Sequence, residues 1–168
     1  YVEDGVKIKP YESDALFAGI SIDTDGFQSK SGPRTFEAVA FLRRHGADIT
    51  RVRKMLRDDM KGYIAVAQAV SHAVVYKGAF AISVFDGEGL DSPTIGGAKA
   101  ANQLLDISGI KASFVVTAYN DVIYVSARSI DEVNVQIIME KMGGGGHLAN
   151  AATQIDGKSV SEVKEDLI

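Results

Sequence analysis

The sequence predicts an α/β protein of the α+β type: a helical stretch to about residue 73, then a compact domain with a mixed or antiparallel sheet flanked by helices. Three observations predict it. Up to His72, apolar residues recur at three-and-four spacing between capping signals. From Val74 they alternate in short runs separated by Gly, Asn and Asp. The chain then closes on a capping box, Ser159-Val160-Ser161-Glu162. With 168 residues and 46% apolar content there is material for one ordinary domain or two small ones.

The elements follow in order. Lys9-Pro10-Tyr11 stops or introduces a helix, and Ser13-Asp14 is expected to cap one running through Ala15, Leu16, Gly19 and Ile20 to Asp23. An alternating strand over residues 16–22 is the second reading. Residues 26–32 read as a loop. Pro33 suits a first helical position and opens a helix with Phe36, Val39, Ala40 and Leu42 inward, ended by Gly46. Asp48 caps the next, with Ile49, Val52, Met55 and Leu56 on one face. Arg51, Arg53, Lys54 and Arg57 lie on the other, read as a solvated face in preference to a phosphate patch. An alanine-rich helix over 59–72 is expected to join two domains, giving 1–58, a linker helix at 59–73, and 74–168.

Beyond it, residues 74–76 and 79–85 read as strands joined at Lys77-Gly78, with Phe80, Ile82 and Val84 on one face. Ser92-Pro93 starts a helix whose buried stripe is Ile95, Ala98, Ala101, Leu104 and Leu105. Strands at 112–119 and 122–127 form a hairpin across Asn120-Asp121, residues that tolerate φ > 0. Asp131 is expected to start a helix with Val133, Ile137 and Ile138 inward, and residues 152–155 to add a last strand.

Composition narrows the function classes. A net charge of −4 argues against a broad basic surface that tracks long nucleic acid, and leaves a local basic pocket for a small nucleotide. The absence of cysteine excludes disulfides and thiolate metal sites and suits a reducing compartment, the cytoplasm. No run reaches the roughly 20 apolar residues that span a bilayer. The first residue is Tyr1, so the chain is read as an excised part of a longer protein whose other segments can include a membrane anchor.

The stretch Gly143-Gly144-Gly145-Gly146-His147, directly after a helical pattern, carries the chemistry. Four glycines cost backbone entropy unless the chain must expose N–H groups or take φ > 0. Such a loop can form a nest for an anion, to which His147 adds a proton-sharing side chain at neutral pH. A C-cap and flexible turn with a surface histidine is the alternative. Arg128, two residues after Ser126 at a strand end, stands where a phosphate clamp needs it. Asn150 either reads a base edge or caps the turn. Arg34 sits at a helix start, where guanidinium and free N–H groups together can hold a phosphate; an exposed first-turn arginine is the alternative. Asp23 ends an apolar helix, where a carboxylate can reach a metal. An EF-hand starting there is excluded by Phe27, Gln28 and Arg34 at its fifth, sixth and twelfth positions. His45 and His72 read as structural helix-end residues.

Gly-Gly-Gly-Gly-His followed by Asn150-Ala151-Ala152, and preceded by Ser126-Ala127-Arg128-Ser129 and Glu132-Val133-Asn134-Val135, resembles the DHH-associated domain of the DHH phosphoesterases. Within that family it looks most like the cyclic-di-AMP phosphodiesterases of the GdpP type. Upstream, Ala18-Gly19-Ile20-Ser21-Ile22-Asp23-Thr24-Asp25-Gly26-Phe27 and Arg34-Thr35-Phe36 resemble the last motif of the DHH catalytic domain.

The resemblance implies a helical tail of a catalytic domain followed by a substrate-binding domain. Asp23, and not Asp25, would be one ligand of a two-Mn²⁺ centre. Arg128, His147 and the loop N–H groups would bind phosphate, and cyclic di-AMP would open to linear pApA. It leaves a homodimer open. Absent are an Asp-His-His tripeptide and a His-x-x-x-Asp-x-Asp stretch, which would supply most metal ligands, so the chain alone is expected not to turn over substrate. Two further readings remain. One is a short-oligonucleotide exonuclease or 3′-phosphoadenosine 5′-phosphate phosphatase; the other is a non-catalytic RNA-binding module, which the acidic balance disfavours.

Overall fold

The structure, a computed structural model, describes residues 5, 7–130 and 132–168. It forms two compact units, Tyr1–Asp58 and Asp59–Ile168. The first is helical: α1 (Pro10–Asp23), α2 (Pro33–Arg44) and α3 (Ile49–Met55). Pro10 occupies the first turn, and the Glu12 carboxylate accepts the Lys9 N–H at 2.8 Å. The proline's preset φ therefore begins α1 three residues before the expected Ser13-Asp14 cap.

Ser13 and Asp14 instead lie inside α1 and are buried. Ser13 Oγ donates to the His45 carbonyl at 3.2 Å. The Asp14 carboxylate accepts from Arg51 Nε at 2.6 Å and from the Asp48 N–H at 2.7 Å, and Arg51 Nη2 also reaches the Gly46 carbonyl at 2.8 Å. The Arg51 guanidinium, followed by the Asp48 N–H, holds the Asp14 carboxyl below its usual range, and the carboxylate raises Arg51 in return. Arg51, its side chain half exposed, thus latches α1 to α3 from the solvated face, on which Arg53, Lys54 and Arg57 are exposed as expected.

Helix α2 stops where Gly46 takes φ +95°. The Gly46 N–H donates to Arg43 O and the Ala47 N–H to Leu42 O, the two bonds of a Schellman cap. A ring nitrogen of His45 lies 2.8 Å from the Phe41 carbonyl, in keeping with its structural reading. The core of this unit is Phe17, Ala18, Leu42, Ala47 and Val52. Phe36, Ala40, Ile49, Met55 and Leu56, expected inward, are exposed, because three short helices share so small an interior that few positions per helix reach it.

Among the described residues the second unit has six strands: β1 (Val74–Tyr76), β2 (Phe80–Phe85), β3 (Ala112–Tyr119), β4 (Val122–Ser129), β5 (Gly145–Gly146) and β6 (Asn150–Asp156). Their order is β1-β2-β3-β4-β6-β5, with β2 and β3 parallel and every other pair antiparallel. Helix α5 (Pro93–Leu105) makes the crossover that a parallel pair requires. With α4 (Met60–Ser71) it covers one face over Ala81, Phe85, Leu104 and Val115. Helices α6 (Val135–Lys141) and α7 (Val160–Asp166) cover the other over Ile82, Phe114, Val125, Val135, Met139 and Val163. Val66 and Ala69 place α4, the expected joining helix, in the core of the second unit.

The covered sheet departs from expectation in three places. Strand β2 buries Ala81 and Phe85 on the side opposite Ile82, and leaves Val84 exposed. Helix α5 presents Gly97, Ala100, Ala101 and Leu104 to the sheet, and Ile95 is exposed. Its approach is close: a Cβ on Gly96 would stand 2.2 Å from Phe85 Cζ, and one on Gly97 2.3 Å from Thr117 Oγ1.

The Asn120-Asp121 turn forms as expected, with φ +50° and +63°. Helix α6 begins after Asn134, whose side chain accepts the Ile137 N–H at 3.4 Å; the expected start at Asp131 lies outside the described residues. Ile137 is exposed, and Val135 and Met139 carry the packing. Among the described residues no helix is long and apolar enough to cross a membrane.

Candidate functional site

The glycine tract is a cap and a strand. Gly143 takes φ +83° and donates to Glu140 O at 3.1 Å, while the Gly144 N–H donates to Met139 O at 2.8 Å, closing α6 with a second Schellman cap. The chain then runs as β5 beside β6, pairing Gly145 with Ala152 and Gly146 with Ala151. His147 and Asn150 exchange backbone hydrogen bonds at 2.7 and 3.2 Å across the turn. Its carbonyls at Leu148 and Ala149 accept the Val135 and Ser129 N–H groups. Ladder alternation directs the Gly145 N–H at β6 and leaves that of Gly146 on the sheet edge. A four-amide anion nest therefore does not form, because helix capping and strand pairing use three of its four donors and leave only the Gly146 N–H outward.

Sterics separate the four glycines. Gly143 needs its positive φ. A Cβ on Gly144 would stand 2.2 Å from Ala152 O, and one on Gly146, where φ is +146°, 2.5 Å from Ala151 Cα. Gly145 has neither reason: a Cβ there meets nothing within 4 Å, and its φ is ordinary. Its missing side chain keeps a surface open.

Strand register identifies that surface. Ile123, Val125 and Ala127 of β4 face the α6–α7 core, so Tyr124, Ser126 and Arg128 face the other way. They stand opposite Gln154, Ala152 and Asn150 respectively in β6. The Ser129 N–H bond to Ala149 O makes these the non-hydrogen-bonded pairs, in which side chains approach most closely. His147 opposes Asn150, and Gly145 opposes Ala152, on the same face. Ser126, Arg128, Asn150, His147 and Gly145, which lie in three separate stretches of the sequence, thereby share one sheet face. A cavity of about 380 Å³ opens on this ladder, lined by Tyr124, Ser126, Gly143, Gly144, Ala152 and Gln154 among others.

Arg128 is oriented from behind. Its Nε donates to Asn102 Oδ1 of α5 at 3.0 Å and its Nη1 to Ala127 O at 2.9 Å. Sequence reasoning passed over Asn102; the one available signal is a polar side chain inside an alanine stripe. The guanidinium and the exposed imidazole of His147 give the face donors for a phosphate without requiring backbone amides.

Asp23 and Arg34 belong to the first unit. Asp23 is the last residue of α1; its side chain is 74% exposed and lies 3.4 Å from Lys30 Nζ. The turn after it is held by Thr24, whose Oγ1 donates to Ile20 O at 2.7 Å and accepts the Phe27 N–H at 3.0 Å. Asp25, Gly26 and Phe27 all have φ > 0. Arg34 is exposed on the first turn of α2. Among the described residues no group of three or more His, Asp or Glu is placed to hold a metal. Asp23 offers a single carboxylate, so these residues fit part of a metal site and not a whole one.

The mixed sheet thus brings Arg128 and His147 to one face beside a glycine strand. The DHHA1 domain family matches residues 77–168, more than half of the chain, and the chain belongs to that family. It is 45% identical over 171 residues to the cyclic-di-AMP phosphodiesterase GdpP of Bacillus subtilis (strain 168), covering 99% of this chain and 26% of that protein. It is 39% identical over 169 residues to the cyclic-di-AMP phosphodiesterase PdeA of Listeria monocytogenes serotype 1/2a (strain 10403S), covering 100% of this chain and 26% of that protein. The chain thus spans about a quarter of the length of these relatives. In fold it is similar to an exopolyphosphatase-related protein from Bacteroides fragilis, with TM-score 0.81 and 18% identity over 95% of this chain and 49% of that one.

Proposed function

We propose that this chain is the substrate-binding part of a phosphodiesterase that opens cyclic di-AMP to linear pApA, with residues 1–58 forming the end of the catalytic domain. The observation that carries the reading is the shared sheet face of Ser126, Arg128, Asn150, His147 and Gly145. The curated relatives named above support the substrate.

On this reading Arg128, pre-oriented by Asn102, and His147 hold one phosphate of the dinucleotide and stabilise charge that develops on its oxygens. Ser126 and Asn150 add neutral donors that fix its position. Gly145 admits the phosphate to the strand without a methyl group in the way. Arg34, at the start of α2 in the first unit, is the other catalytic candidate. Bound Mn²⁺ would supply Lewis acidity and a nucleophilic hydroxide, with Asp23 as its one ligand from this chain.

The test uses a protein of the relatives' full length, incubated with Mn²⁺ and either cyclic di-AMP or 3′-phosphoadenosine 5′-phosphate. Ring opening to pApA, lost in both Asp23→Ala and His147→Ala, is expected, and the 168-residue chain alone is expected to be inactive. Undiminished turnover in both variants, or preference for the mononucleotide, would overturn the reading.

A further inference from the structure

The phosphate-facing residues occupy one end of the β4–β6 ladder, and the other end is unassigned. Four register steps from the Arg128–Asn150 pair, on the same face, stands the pair Tyr124–Gln154, with the small pair Ser126–Ala152 between them. Four residues of strand span roughly 13 Å, on the scale of a nucleoside monophosphate from its phosphate to the far edge of its base. The cavity lies over the small pair and the far pair and is walled by Thr94 of α5 and the Gly143-Gly144 backbone. Its volume of about 380 Å³ falls in the range of small-molecule sites. Among the described residues, the side chains of Tyr124, Ser126 and Gln154 make no hydrogen bond to the protein, so their polar groups are available to a ligand.

We propose that Tyr124 and Gln154 form a nucleobase subsite selective for adenine, a proposal that rests on the phosphate reading of Arg128 and His147. The aromatic ring of Tyr124 offers a stacking surface for a base. The Gln154 amide presents a donor beside an acceptor, the pattern that matches the N6 amino group and adjacent ring nitrogen of adenine. The O6/N7 edge of guanine offers two acceptors, and its opposite edge leaves the N2 amino group unpaired by one amide. Small Ser126 and Ala152 leave room for the ribose between base and phosphate.

The experiment titrates the 168-residue chain with AMP, GMP and ribose 5-phosphate, following backbone amide resonances. AMP is expected to shift both ends of the ladder and ribose 5-phosphate only the Arg128–His147 end. AMP should bind at least about fivefold more tightly than GMP. Gln154→Ala, at an exposed position, should lose that selectivity without lowering the unfolding temperature, and Gln154→Glu should favour GMP through its N1 and N2 donors. Equal binding of AMP and ribose 5-phosphate with Tyr124 and Gln154 unmoved would overturn the base subsite and leave the phosphate reading standing. Equal affinity for AMP and GMP would overturn the adenine assignment. Binding of none of the three would overturn the phosphate reading and this proposal together.

Discussion

The two units bury their interiors by different means. Among the described residues the first fully buries five apolar side chains, with others packed partly buried against them, and encloses Ser13, Asp14 and Thr24, each hydrogen-bonded to a neighbouring segment or turn. It leaves Tyr11, Leu16, Ile22, Phe36, Ile49 and Met55 at the surface. The second covers a six-stranded sheet on both faces, and its buried Ser113 hydroxyl donates to a carbonyl of α5 at 2.6 Å. Among the described residues the helical unit has fewer buried apolar side chains for each buried polar group than the sheet unit, and so leans more on directional bonds. Substitutions should therefore separate the two.

The largest expected effect is in the sheet unit. Leu104 is fully buried between α5 and β2–β3, and Leu104→Ala should cost about 2–5 kcal/mol through lost transfer energy and the cavity left behind. Hydrogen exchange should report the loss in β3 amides and not in α1. An equal loss in α1 would show one cooperative transition and break the comparison.

The next effect is in the helical unit and depends on pH. Arg51 lowers the Asp14 carboxyl below its ordinary 3.8. A carboxyl with a lowered folded-state pKa contributes stability that is present above the unfolded value and lost as pH falls through the folded one. Exchange of α1 and α3 amides should accelerate below about pH 4, ahead of the sheet unit. Asp14→Asn should weaken the unit at neutral pH and flatten that acid response. An unchanged acid profile in the variant would assign the latch no part in stability.

A smaller effect is expected at α7. The Ser159 side chain accepts the Glu162 N–H at 3.3 Å, while the Glu162 carboxylate takes the Ser159 N–H at 2.7 Å and is held below its usual range by that bond. Ser159→Ala should cost about 1 kcal/mol and fray α7 while Val163 stays packed, read as faster exchange confined to residues 159–163. Loss spreading through β3 would show that the cap supports the sheet itself.

What could be read in advance divides along a physical line. Caps at Gly46, Asp48 and Ser159 were legible because a cap is decided within a few residues. The Asp14–Arg51 latch was not, because its partners are 37 positions apart and only the packing of α1 on α3 joins them. The two-sided burial of β2 was hidden because alternation names one face, whereas a covered sheet uses both. Ser126, Arg128, Asn150 and His147 were recognisable by residue type and by family resemblance. Asn102 acquires a role only when α5 lies over β4, and the four glycines, conspicuous together, have separate causes that only the backbone reveals.

That separation yields the smallest effect on stability and the sharpest on the site. Gly146→Ala meets a backbone at φ +146° with Ala151 Cα within 2.5 Å of the added carbon, so it should destabilise by more than about 1 kcal/mol. Gly145→Ala meets nothing within 4 Å at ordinary φ, so it should leave the unfolding midpoint within a few tenths of a kcal/mol. Its new methyl group projects onto the face shared with Arg128 and His147, where the proposed phosphate would approach the strand. Ribose 5-phosphate should bind this variant at least about tenfold more weakly than the parent, as expected when a close contact is blocked. A Gly145→Ala variant as stable as the parent and equally able to bind would mean that the open face is not the ligand's path. The glycine strand would then serve only the packing of the sheet.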